Sequence, residues 1–146
     1  MIRRTRSLSL CVGFLLVFAG AVHGQGTNLT SLQRQSSFTP ADTDRIEEEI
    51  ERLVQALVSG RTSEEVDRAR NALTDLVDAE KVSQAFREKA AGIAAEKLAS
   101  KIHLALAQKN RLAAAIVAAR LQNPESVLLL LKLIGEDEHY PSVRNW

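Results

Sequence analysis

Three histidines, a run of acids and scattered serines are the side chains with the means to do chemistry in this sequence, and their spacing decides against most of it. His103 has Ala99 four residues before it and Ala107 four after, whereas a helical metal site needs a second ligand at that spacing. His139 follows Glu136-Asp137-Glu138, a set able to hold a cation weakly, and is read as part of a solvated turn. Glu47-Glu48-Glu49 is an acidic run on a helix, where consecutive residues splay about 100° apart and do not converge as a catalytic pair must. Ser63, Ser83, Ser100, Ser126 and Ser142 lack the Gly-x-Ser-x-Gly setting of an activated nucleophile, and no glycine loop cradles a phosphate. Catalytic, cofactor-binding and metal-binding residues are therefore assigned as none, no cofactor is expected, and the chain reads as a non-enzyme.

Binding chemistry is equally plain. Arg68, Arg70, Arg87, Lys89, Lys97, Lys101, Lys109 and Arg111 are interleaved with acids, and aromatic residues make up only 4% of the chain, so base stacking has few platforms. They read as a solvated surface. The chain has 146 residues with 19 Lys+Arg against 18 Asp+Glu, but three of those arginines, Arg3, Arg4 and Arg6, belong to an N-terminal head. Without residues 1–24 the balance is 16 basic to 18 acidic, and no nucleic-acid partner is expected.

That head has the layout of an export signal: a positive start, an apolar core from Leu8 to Phe18, and small residues leading to cleavage after Ala21 or Gly24. Its sixteen uncharged residues between Arg6 and His23 fall short of the roughly 20 that span a bilayer. Cys11, the only cysteine, lies inside this apolar core and not at the cleavage site of a lipoprotein. The mature chain then has no thiol, and packing alone must stabilise it. Export to the periplasm or the extracellular space is expected, with an uncleaved N-terminal membrane anchor as the alternative and no stable membrane span once the signal is removed.

The elements that follow are all helical. Residues 25–38 are polar and read as a flexible leader, with a glycosylation sequon at Asn28-Leu29-Thr30. Thr39-Pro40-Ala41-Asp42 opens a helix whose Ile46, Ile50, Leu53, Val54, Leu57 and Val58 form one stripe, with Glu48 and Arg52 paired at i,i+4 and Gly60 as a left-handed stop. Thr62-Ser63-Glu64-Glu65 is a capping box for a second helix running to about Asp78, so 39–80 makes a helical hairpin. A third helix from Ser83 to about Gln108 carries Phe86, Ala90, Ile93, Ala94, Leu98, Ile102 and Leu106, with Gly92 as a close-packing point or kink. Residues 110–122 form an alanine-rich helix. Asn123 caps and Pro124 starts another, apolar nearly all round from Val127 to Ile134 and ended by Gly135.

A helix, a short turn at Asn123-Pro124, a second helix buried on several sides, an acidic turn and then Pro141-Ser142-Val143-Arg144 resembles a HEAT-type repeat. Arg111 and Arg144 lie 33 residues apart, somewhat under the roughly 40 of such units. The resemblance covers 83–146 and is best over 110–146. It departs from the family in having no proline between Pro40 and Pro124. It implies an α-solenoid of stacked antiparallel hairpins in which Arg111, Arg144, Asn123, Pro124 and Gly135 hold repeat positions, the arginines contacting acidic turns such as Asp137 or Glu138. The fold class expected is thus all-α, a short HEAT-like α-solenoid preceded by a signal peptide, and apparently truncated after the last partial helix.

By fold analogy, such a chain is a scaffold for a protein or peptide partner, with self-association through the 124–134 helix. Two other readings are an accessory N-terminal region of a larger exported enzyme or cofactor protein, and a small helical adaptor tethered by an uncleaved signal anchor.

Overall fold

A computed structural model describes residues 29–78 and 80–136. The export signal at 1–24, Asn28 of the sequon, the turn at Asp137, Glu138 and His139, and the final segment with Arg144 and Trp146 lie outside the described residues.

Thr39 begins the first helix, α1 (Pro40–Ser59), with a complete capping box: its hydroxyl accepts the Asp42 N–H at 3.2 Å and the Asp42 carboxylate accepts the Thr39 N–H at 3.1 Å. The Thr39 hydrogen bonds hold the Asp42 carboxyl below its ordinary range. All six residues of the expected stripe, Ile46 to Val58, are buried. The helix does not end in a left-handed glycine. Gly60 has φ −56° and ψ 130°, open to any residue, and what it supplies is space: a Cβ would come within 2.7 Å of the Ala56 carbonyl and 2.8 Å of Val66 Cγ2. Arg52 also departs from expectation, pairing with Glu49 one turn back and not with Glu48.

Thr62 and Glu65 box the start of α2 (Ser63–Asp75), where Glu65 Oε2 accepts the N–H groups of Arg61 and Thr62 at 2.9 and 3.1 Å. Those backbone bonds, the one from Thr62 first, lower the Glu65 pKa. The helix stops at Asp75, and Leu76 and Val77 turn inward as buried residues.

The largest departure on the N-terminal side is the leader. Leu29 and Leu32 are buried in the main apolar cluster, and Phe38 packs edge-to-face on Phe86 with ring centroids 6.1 Å apart. Ser83, the cap of α3 (Gln84–Lys101), fastens this segment by donating its N–H to the Gln33 carbonyl at 2.7 Å and its hydroxyl to the Gln35 carbonyl at 2.6 Å. Residues 29–38 are therefore part of the packed structure, since two leucines and a phenylalanine find partners there.

The long third helix expected to reach Gln108 is two elements. After Lys101 the chain tightens into a 3₁₀ turn (Ile102–Leu104) and restarts as α4 (Gln108–Leu121). Ile102 and Ala105 anchor the corner by burial, while Leu106, expected in the apolar series, is 84% exposed. Packing causes this break, for no Gly or Pro lies between 93 and 122. Gln122 ends α4 in the left-handed region at φ 50°. The Asn123 Oδ1 then accepts the Glu125 N–H at 2.8 Å and opens α5 (Pro124–Glu136), which continues through Gly135.

The described residues are all-α, without strands. Helix α1 contacts α2, α3 and α4; α3 contacts α1, α4 and α5; α4 contacts α2 and α5 as well. One buried apolar cluster runs through all five helices, from Leu29 to Leu133, so the 39–80 hairpin and the helices after 83 share a core.

Gly92 neither kinks α3 nor marks a close approach, because the nearest atom to a Cβ placed there would be Asn123 Nδ2 at 3.8 Å, an ordinary contact. Gly92→Ala is therefore expected to stabilise the protein by about 0.5–1 kcal/mol through helix propensity alone. A melting temperature that falls on this substitution would show that the position needs a glycine for another reason.

Candidate functional site

The sequence-derived candidates scatter. His103 sits exposed in the 3₁₀ turn. Ser63 begins α2 and Ser83 caps α3; the Ser100 hydroxyl bonds the Lys97 carbonyl in its own helix, and buried Ser126 bonds the Asn123 carbonyl at 2.6 Å. Among the described residues no group of three His, Cys, Asp or Glu is placed to hold a metal ion, and no helix is long and apolar enough to cross a membrane. Of the residues expected at repeat positions, Arg111 is half-buried on α4, Asn123 and Pro124 stand at the α4–α5 junction, Gly135 lies in the last turn of α5, and Arg144 is outside the described residues.

The acidic run on α1 has a structural use. Glu47 and Glu51 reach α3, where Lys97 bridges both and Lys101 bonds Glu51 at 2.9 Å and Gln55 at 3.3 Å. The Glu47 hydrogen bond raises the Lys97 pKa, and the Lys101 hydrogen bond lowers that of Glu51. These ion pairs tie α3 to α1 across their shared surface.

Two features remain that packing does not use up. The first is on α5. Ser126, Leu129 and Leu133 are buried, whereas Val127, Leu128 and Leu131 are 55, 68 and 60% exposed. At 100° per residue the exposed three share one stripe on the side opposite the buried three. Helix α5 thus has one apolar face against the core and a second one open.

The second is a groove between α2 and α4. Its central cavity, about 420 Å³, brings together Arg70 of α2, Arg87 of α3 and Arg120 of α4 above Val77 and Ile116. Sequence reading placed Arg70 and Arg87 on a dispersed solvated surface and passed over Arg120. Residues 50 positions apart on three helices meet only through packing, so no local signal marks the group.

Comparison with family models, with curated proteins and with solved structures finds no match in any of the three.

Proposed function

We propose that this chain is an exported, non-catalytic helical-repeat scaffold that works by protein–protein contact, and that its α5 outer face joins it to a second copy of itself. The observation that carries the reading is the exposed stripe Val127, Leu128, Leu131 backed by a fully buried face of the same helix. Contiguous apolar groups held outward on a rigid helix are what an interface presents. The packing of helices supports a HEAT-like stack: α1 lies against α2, α3 next to both α1 and α5, and α4 next to α2. In such a stack α5 is the last element described, and its outer face is where the next layer belongs. Two copies meeting through α5 cover that face for both, which is the self-complementary arrangement of a twofold dimer.

Protein recovered after export is expected to show a monomer–dimer equilibrium in sedimentation analysis. Leu128→Glu with Leu131→Glu is expected to leave only monomer, with helicity unchanged because neither side chain enters the core. A monomer at all concentrations for the natural sequence would sink the reading of this face. The mass of the same sample reads the export step, since an intact Met1 terminus speaks against a cleaved signal.

A further inference from the structure

We propose that the groove along α2 and α4 binds an extended peptide segment bearing acidic side chains, whose carboxylates are taken by Arg87 and Arg120. The inference rests on reading the chain as an interaction module but uses a different surface from α5. Three neighbouring cavities with shared lining residues make the groove. A cleft of about 150 Å³ between α2 and α4 shares Arg70 and Ile116 with the central 420 Å³ cavity, which in turn shares Arg87 and Gln122 with a cleft of about 250 Å³ at the start of α5. From Lys109 to Gln122 the helix alongside advances about 20 Å, a length covered by roughly six residues of extended chain. Helices offer no open strand edge, so recognition has to come from side chains.

Charge in the groove is unequally satisfied. Its acids each have a hydrogen-bond or ion-pair partner: Asp67 pairs with Arg70 at 2.8 Å, a single Lys81 bridges Asp75 and Asp78 at 2.6 and 3.5 Å, and Glu88 accepts from the neutral Gln84 amide at 2.8 Å. Lys109 donates to the Arg61 carbonyl at 2.6 Å. Arg87 and Arg120 have no side-chain hydrogen bond or ion pair among the described residues, yet both line the same cavity. Arg87 stands four residues after the Ser83 cap, near the positive end of α3, where the helix dipole disfavours a cation. Gln122, the left-handed C-cap of α4, lines the same cavity. Two guanidinium forks from different helices suit carboxylates in bidentate geometry, and the Val77 and Ile116 floor takes an apolar side chain between them. The groove has no aromatic ring on which a base could stack.

The test is fluorescence anisotropy of the full chain with a labelled hexapeptide, acetyl-Glu-Gly-Leu-Gly-Glu-Gly, whose two Glu and intervening Leu share one face of an extended chain, and its counterpart with both Glu replaced by Gln. The acidic peptide is expected to bind about tenfold or more tightly than the Gln peptide, and Arg87→Gln with Arg120→Gln to remove that preference. Because Arg120 also complements the C-terminal dipole of α4, Arg87→Gln is measured alone as well. It should weaken binding with no fall in melting temperature. Equal binding of both peptides, no binding of either, or full binding by the double variant would overturn the proposal. So would displacement of the peptide by inorganic phosphate at low millimolar concentration, which would identify a small-anion site. Sedimentation of the Arg87, Arg120 variant separates the two readings: a dimer that persists while peptide binding fails leaves the α5 interface standing and removes only the groove.

Discussion

Phe86→Ala is expected to cost about 3–5 kcal/mol, the range for a fully buried phenylalanine reduced to alanine. Phe86 is the bulkiest of the fully buried side chains and stands at the third position of α3. Its N–H is the one that the Ser83 hydroxyl accepts at 3.1 Å, and its ring meets Phe38 at an interplanar angle of 68°. The cavity would therefore open where residues 29–38 dock, and the loss should appear in two places. Thermal unfolding should shift down by roughly 10 °C or more, and residues 30–38 should become sensitive to protease at temperatures where α1 is still folded. Phe86→Leu, which keeps most of the volume, should fall between. A cost below about 1 kcal/mol for the alanine variant would mean that the N-terminal segment adds nothing to the core.

This segment also shows where sequence reading reaches its limit. Helix α1 was legible because several signals coincide: a Thr cap, a proline at the first position, and apolar residues at helical spacing, all of which the structure places as expected. The leader offers two leucines and a phenylalanine among Ser, Gln and Thr, a pattern too thin to separate packed from solvated chain. The corner between α3 and α4 is harder still. Ala107 precedes α4 without a side-chain cap, and the residues on either side are good helix formers, so local propensity favours the single long helix expected. Burial of Ile102 and Ala105 overrides it. Gly60 shows a third kind of limit: its position was legible, but its reason was not, because a missing Cβ matters here for the approach of Val66 and not for backbone handedness.

The candidate surfaces divide in the same way. The apolar residues of α5 were visible as a helix needing cover on several sides, a property of one short stretch of chain. The arginine groove depends on α2, α3 and α4 being placed together, and the intervals from Arg70 to Arg87 and from Arg87 to Arg120 carry no periodicity that would group them.

Asn110→Ala should produce the second large loss, about 2–3 kcal/mol, from the unmade hydrogen bonds of buried carbonyls. Asn110 is 2% exposed at the third position of α4, and its Nδ2 donates to the Val58 and Gly60 carbonyls at 2.9 and 3.1 Å. Both partners are acceptors, which fixes the orientation of the amide. Helix α1 has no basic residue in its last turn and no left-handed glycine after it, and the carbonyls of Val58 in that turn and Gly60 just beyond it accept from a side chain 52 and 50 residues away. The alanine variant removes that donor and leaves the carbonyls without a partner in a packed junction. Asn110→Asp discriminates this account from simple loss of volume, since the shape is kept while a carboxylate faces two carbonyl oxygens. Burial facing two carbonyl oxygens raises the folded-state pKa of such a group above its unfolded value. The variant should then be least stable at neutral pH and regain stability as pH falls, when the protonated acid can donate to one carbonyl. Equal stability of the Asp and Asn proteins at pH 7 would show that the α1–α4 junction does not depend on the amide donor.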